Sequence, residues 1–155
     1  MNLLRKIKKI CKKKGRKFYI ANNVKIAKDL NLDGVYIPAF NTLNNFQNLN
    51  VSKNFKLIGS CHNIVELKIK ENQGCDEIFI SPIFKNKKSD RYLDISKFNT
   101  IALNSSKKIV ALGGINNSNI RKLKLTNSKS FSSINWIKKN RPNKLGRFYN
   151  FLYSN

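Results

Sequence analysis

The sequence predicts an α/β fold built on a parallel sheet, and three observations carry that prediction. Short apolar, strand-like runs alternate with helical ones almost from end to end, the pattern of βαβ units crossing over right-handed onto a parallel sheet. A hydrophobic share of 41%, with 1 Trp, 5 Tyr and 10 Phe in 155 residues, is enough for one core and suits a folded chain rather than a disordered one. No low-complexity linker or second composition interrupts the alternation, so residues 1–155 are expected to form a single domain.

The elements follow in order. Leu3, Leu4, Ile7, Ile10 and Cys11 recur at helical spacing with bases between them, and Gly15 is placed to end that helix. A basic amphipathic helix can lie on an anionic membrane. Its apolar stripe is short, however, which favours a helix packed on the domain with its lysines in water. Residues 17–20 then read as a short buried strand, 24–32 as a helix, 34–37 as a strand and 56–59 as another. A helix is expected over 63–73 and a strand over 77–80. A polar loop at 85–91 leads to a helix at 96–103, and a strand at 108–112 runs into Gly113-Gly114. A helix over 118–125 and a weaker strand at 130–134 complete six strands. The tail, 136–155, mixes Trp136, Phe148, Tyr149, Phe151 and Tyr153 with Lys and Arg. That mixture can hold a nucleic acid by stacking and charge, but a last helix covering the sheet with buried aromatics is what layered packing asks for.

The formal net charge is +23, from 25 Lys and 6 Arg against 8 acidic residues, spread along the whole chain. It comes with 24 Asn and few Gly or Pro, which points to a background bias of composition as much as to selection for a partner. Such a charge attracts anions whatever its origin. An RNA-binding chain should show aromatics interleaved with Arg on a sheet, or a recognisable module. Neither is present, so nucleic acid is not the expected partner. No apolar run nears the roughly 20 residues of a membrane span, and the opening residues show no secretory signal. Cys11, Cys61 and Cys75 are odd in number and form no CxxC pair, as expected of reduced thiols in a cytoplasmic protein.

Several short motifs, in order, carry a resemblance. They are Asp33-Gly34-Val35-Tyr36-Ile37, then Ile58-Gly59-Ser60-Cys61-His62 with Gly74-Cys75-Asp76 beginning twelve residues after His62. Ser81-Pro82-Ile83-Phe84 and Ala111-Leu112-Gly113-Gly114-Ile115-Asn116 follow. Each is weak alone. Together, from about residue 16 to 137, the stretch resembles the thiamine phosphate synthase family and its thiazole tautomerase relatives, with their DGVHL, IGxSxH…GAD, GPxF and AIGGIN segments. The resemblance implies a parallel (β/α)8 TIM-barrel type fold, incomplete here with about six βα units. The opening helix falls where the family has its second, which leaves the family's first strand, first helix and second strand without counterparts. Six strands do not close an eight-stranded barrel, so a homo-oligomer that completes the barrel through its open edges is one expectation.

Such barrels carry their active sites at the C-terminal ends of the strands. Asn22, Asn41, Ser60 with His62, the segment 81–88, Gly113-Gly114 and Asn135 all fall at or just past expected strand ends. Gly113-Gly114 would let backbone N–H groups approach a phosphate, with the next helix N-terminus adding positive potential; the alternative is a tight turn that needs positive φ. The resemblance implies that this turn and Asn135 hold a thiazole phosphate, and that Mg²⁺ is held by two Asp. Those positions are Asn22 and Asn41 here, which keeps amide oxygens but removes both charges. The Asn that normally precedes the first is Ala21, and the family's strand His is Tyr36, counted with the substrate-binding residues. Lys87 and Lys88 stand in the loop that matches the family's phosphate loop, as diphosphate counter-charge or as a solvated charge run. Ser60 matches a strand-end serine. His62, the only histidine, matches a common family position, where a helix-start or core hydrogen-bonding role competes with acid–base catalysis.

The resulting expectation is a thiamine phosphate synthase-like transferase of the cytoplasm. It would take phosphorylated small molecules and join a pyrimidine methyl diphosphate to a thiazole phosphate. Two alternatives stay open: a non-catalytic barrel remnant that binds a phosphorylated ligand, and a basic nucleic-acid-binding protein.

Overall fold

The computed structural model of the chain describes residues 2–43, 46, 49–86, 90–133 and 136. Helix α1 (Asn2–Lys13) is followed by β1 (Tyr19–Ala21), α2 (Val24–Asp29) and β2 (Gly34–Ile37). Then come β3 (Lys56–Cys61), α3 (Ile64–Asn72), β4 (Glu77–Ile80), α4 (Asp94–Leu103), β5 (Lys108–Leu112), a 3₁₀ helix (Ile120–Leu125) and β6 (Ser130–Ser132). The six strands form one sheet in the order of the sequence, every neighbour parallel. Among the described residues β1 and β6 are its edges, and the sheet does not close.

Strand alternation sorts the residues onto two faces. Val35, Ile37, Leu57, Cys61, Ile78, Ile80, Ile109 and Ala111 point to the face covered by helices. There they meet Ala27, Leu30, Leu67, Phe98, Ile101, Ala102, Ile120 and Leu123 in one cluster. The registers Ala21–Tyr36–Ile58–Glu77–Lys108 and Ser60–Phe79–Val110–Ser130 run across the opposite, lumen face. That face is mixed: Tyr36, Phe79, Ser60 and Ser130 share it with the buried aliphatic side chains of Ile58 and Val110.

Three helices end in the same way. In α1, Arg16 N–H donates to Cys11 O (2.9 Å) and Gly15 N–H to Lys12 O (3.1 Å), with Gly15 at φ 59. In α2, Leu32 N–H reaches Ala27 O and Asn31 N–H reaches Lys28 O, with Asn31 at φ 44. In α3, Cys75 N–H reaches Lys70 O and Gly74 N–H reaches Glu71 O, with Gly74 at φ 79. This paired 6→1 and 5→2 closure needs a left-handed residue, which Gly and Asn accept most readily. It explains why the helix expected over 24–32 stops at Asp29: Asn31 leaves the helical region. The first strand is also shifted, to 19–21 from the expected 17–20, because Phe18 N–H is already taken by Asp33 Oδ2 (2.8 Å).

The helix expected over 118–125 is a 3₁₀ helix over Ile120–Leu125. Asn116 Oδ1 accepts from Ser118 N–H (2.9 Å) and Asn119 Oδ1 from Asn116 N–H (2.8 Å). These side chains offer the backbone local partners that compete with an α-helical turn. β6 is described only over Ser130–Ser132; residue 134 of the expected strand lies outside the described residues. Helix α1 has no fully buried side chain, but Leu4 packs against the core and Lys8 Nζ donates to Leu30 O (2.8 Å). It therefore lies on the domain flank, with Leu3 and Ile10 exposed. Among the described residues no helix is long and apolar enough to cross a membrane.

Candidate functional site

The predicted residues Asn22, Asn41, Tyr36, Ser60, His62, Gly113 and Gly114 are all described, and all come to the C-terminal ends of β1, β2, β3 and β5. Lys87, Lys88 and Asn135 lie outside the described residues, as do Phe148, Tyr149, Phe151 and Tyr153 of the tail.

The Asn22-Asn23 pair divides two tasks. Asn22 takes a left-handed conformation (φ 57) while its N–H donates to Tyr36 O (2.9 Å), which extends the β1–β2 pairing by one step. Asn23 caps α2, its Oδ1 accepting from Ile26 N–H (2.8 Å). The turn aims the Asn22 side chain at Asn41, whose Nδ2 donates to Asn22 Oδ1 (2.8 Å). Asn41 Oδ1 in turn accepts from Leu43 N–H (3.0 Å). The two expected metal positions are thus brought together, but as partners of each other. Mg²⁺ asks for anionic oxygens in near-ideal octahedral geometry. Both donors here are neutral, and both amide oxygens already accept a hydrogen bond. Two carboxylates toward the C-terminal ends of other strands, Glu66 and Asp90, are engaged by His62 N–H and by Lys85. Among the described residues no group of three or more His, Cys, Asp or Glu could hold a metal. The arrangement does not fit a divalent cation at Asn22 and Asn41.

Inside the lumen, Tyr36 Oη donates to Ser60 Oγ (2.8 Å), and the Tyr36 ring leans toward Phe79 with centroids 6.4 Å apart. Ser60 is buried. His62 is not its partner: His62 Nδ1 lies 2.6 Å from the Ser81 carbonyl oxygen. A carbonyl only accepts, so Nδ1 is the donor of that bond. His62 N–H donates to Glu66 Oε2 (2.8 Å), while Asn63 Oδ1 accepts from Glu66 N–H (2.9 Å). This is a capping box displaced by one residue. His62 therefore starts α3 and ties the end of β3 to that of β4. Ser60 and His62 form no nucleophile–base pair. Burial pushes the thiols of Cys61 and Cys75 up to about 12 and about 11, so neither is a nucleophile at neutral pH.

After β4 the chain runs along the continuation of β5. Ile83 N–H donates to Leu112 O (2.9 Å) and Phe84 N–H to Gly113 O (3.2 Å). Gly113 and Gly114 both have positive φ, 93 and 71. A Cβ on Gly114 would collide with the Phe84 carbonyl, and one on Gly113 would stand 2.8 Å from Pro82 Cβ. The turn thus requires both glycines for conformation and close approach, whatever it binds. Asn119 Nδ2 donates to Gly114 O (2.9 Å), and Trp136 Nε1 to Asn117 Oδ1 (2.6 Å). Ser133 Oγ donates to Ile115 O (3.3 Å) and accepts from Trp136 N–H (3.2 Å). Trp136, buried and edge-on to Phe131 (5.6 Å), thereby fastens the β6 end to the β5 end.

Sequence reasoning did not find Lys70 and Gln73 of α3. Both are fully buried and bonded to the main chain of Asn41. Their signal was spacing: Lys70 and Gln73 follow Leu67 at i+3 and i+6, along the stripe α3 turns to the sheet.

Comparisons with known proteins agree with this geometry. A family model described as thiamine monophosphate synthase matches residues 1–137, which takes in α1 as well as the sheet. The thiamine-phosphate synthase of Pelagibacter ubique is 36% identical over 134 residues, covering 84% of this chain and 63% of its own length. That of Prochlorococcus marinus is 33% identical over 137 residues, covering 83% of this chain and 38% of its own. The chain thus spans less than two thirds of the length of these relatives. A solved structure of thiamine phosphate pyrophosphorylase from Pyrococcus furiosus superposes with a TM-score of 0.69 at 18% identity, over 86% of this chain and 64% of that one. The likeness shows the shared fold, a parallel α/β sheet of TIM-barrel type. With its strand-end motifs in order on that sheet and the family match running through both, this chain belongs to the thiamine monophosphate synthase family.

Proposed function

We propose that this chain is a cytoplasmic, thiamine phosphate synthase-like transferase that joins a pyrimidine methyl diphosphate to a thiazole phosphate. One observation carries the reading. Asn22, Asn41, Tyr36, Ser60, His62 and the Gly113-Gly114 turn converge at one end of a parallel sheet in a member of that family. In the reaction the bond from the pyrimidine methylene carbon to the diphosphate oxygen breaks, a bond to the thiazole forms, and the diphosphate leaves with the electron pair. In this reading the Gly113-Gly114 turn with Asn135 receives the thiazole phosphate, and Tyr36, Ser60 and Phe79 wall the ring. Lys87 and Lys88 supply counter-charge to the departing diphosphate. No step is assigned to Mg²⁺. The three unpaired cysteines support the cytoplasmic assignment. The edges of β1 and β6 are where a second copy would complete the barrel.

The test is formation of thiamine phosphate by the purified protein from both substrates, followed by chromatography. No product above the protein-free background rejects the transferase reading. The second reading, a barrel that holds a phosphorylated ligand without turnover, is favoured by the Asn22–Asn41 bond, which closes the metal position on itself. Calorimetric binding of thiazole phosphate in a preparation that forms no product would select it.

A further inference from the structure

Lys70 is buried without remainder in the last turn of α3, on the side that faces the sheet. Room for it comes from Gly59: a Cβ there would stand 3.0 Å from Lys70 Cδ and 2.8 Å from Cys75 Sγ. The amine is held by two hydrogen bonds. Lys70 Nζ donates to Asn41 O (2.6 Å) and to Gln73 Oε1 (2.9 Å). Gln73 Nε2 donates to the same Asn41 O (2.9 Å) and to Leu43 O (2.8 Å). Burying an amine and an amide costs several kcal/mol unless each polar atom is bonded, and an apolar residue would fill the same stripe more cheaply. What the two side chains grip is the connection between β2 and β3, which has no helix among its described residues. The carbonyl that receives two donors belongs to the residue whose side chain meets Asn22 across the mouth of the site. Burial also holds the Lys70 amine below its ordinary pKa.

We propose that Lys70 and Gln73 are positioning residues of the strand-end site, fixing the main chain of Asn41 so that its amide joins Asn22 and forms one wall of the mouth. The role in ligand binding rests on the function proposed above; the placement of Asn41 does not. Two measurements separate them. The first is the side-chain amide resonance of Asn41 in ¹⁵N NMR of the ligand-free protein, compared between wild type and Lys70→Met. The second is calorimetric affinity for thiazole phosphate in a double-mutant cycle of Lys70→Met with Asn41→Ala. The expected result is a shifted, faster-exchanging Asn41 amide in Lys70→Met. Its affinity should fall about tenfold in the Asn41-containing protein and stay unchanged within about twofold in the Asn41→Ala background, the coupling typical of contacting residues. An unshifted Asn41 amide overturns the proposal, and so does an equal affinity loss in both backgrounds, which marks a merely structural residue. If Lys70→Met does not fold, Gln73→Met removes two bonds from the same connection and is read in the same way. If the wild type binds no thiazole phosphate, the functional reading fails while the amide resonance still decides the placement.

Discussion

At the scale of single residues, the strand-end mouth is governed by an amide pair where charge would be needed for a cation. Asn41 Nδ2 and Asn22 Oδ1 satisfy each other at 2.8 Å, so the pair is a closed unit rather than a half-built metal site. The wild-type protein is therefore expected to show no saturable Mn²⁺ binding at millimolar concentration, measured by electron paramagnetic resonance. Replacing both residues, Asn22→Asp with Asn41→Asp, puts two like charges in contact; that repulsion is relieved by a cation, and affinity should rise by about two orders of magnitude. Saturable wild-type binding that disappears in Asn22→Ala/Asn41→Ala would contradict the closed pair. A silent double Asp variant would show that the identity of these two side chains does not decide cation binding. Both positions were readable in the sequence by counting from Asp33 of the family-like motif, and both fall just past an expected strand. Their mutual bond was not, since residues 19 apart meet only once the parallel register is set. Lys70 was hidden for a different reason. On a helix a lysine reads as solvent-facing, and its burial depends on the Asn41 carbonyl, 29 residues away, together with Gln73 Oε1.

At the scale of elements, one device recurs at the opposite, N-terminal ends of the strands. Asp33, just before β2, accepts from Phe18 N–H and pairs with Lys17 (2.9 Å). Asp76, just before β4, accepts from Leu57 N–H (2.9 Å) and lies 3.3 Å from Lys56. Each carboxylate thus bonds the neighbouring strand at its entry, and Glu77–Lys108 (2.9 Å) adds a third tie. The Asp of two family-like motifs thus ties strands together at the end of the sheet opposite Asn22, Asn41 and Gly113-Gly114. For Asp33, burial alone would raise the carboxyl pKa, but the Phe18 N–H and Lys17 outweigh it and the net shift is downward. Glu71 is also lowered: burial raises it, while Lys68 and Ser105 bring it down. A folded pKa below the unfolded value of about 4 means stability that is present above about pH 4 and lost as pH falls through the folded value. Thermal unfolding scanned from pH 6 to pH 2.5 should show that loss, and Asp33→Asn should start lower at pH 6 and fall less steeply. A slope unchanged by Asp33→Asn would remove Asp33 from the account. The strands of this layer were legible almost to the residue: 34–37, 77–80 and 108–112 are short apolar runs with one available partner geometry. The segment after Gly114 was not, because Asn116, Ser118 and Asn119 can serve either a helix or a local turn, and pattern alone does not choose.

At the scale of the whole molecule, the question is what +23 charges do when the acids are already spent on structure. Asp33, Glu71, Asp76, Glu77 and Asp90 are in ion pairs, and Glu66 and Asp94 bond backbone N–H groups near helix starts. With 31 Lys and Arg against 8 Asp and Glu, the folded state works against self-repulsion. Raising NaCl from 10 to 150 mM shortens the screening length from about 30 Å to about 8 Å. Relief of that repulsion should exceed the weakening of five partly exposed pairs, and Tm should rise by roughly 3–6 °C, about 1–2 kcal/mol for a domain of this size. A falling Tm would mean that the ion pairs dominate. The same titration separates a site from a field. Heparin, a polyanion, displaces many counterions, so its affinity should collapse steeply over this salt range. Thiazole phosphate, under the proposed binding at the strand-end site, should lose far less and should be sensitive to Asn41→Ala. If the small phosphate instead follows the heparin slope and ignores Asn41→Ala, its binding is a property of the surface charge, and the strand-end face is not its site.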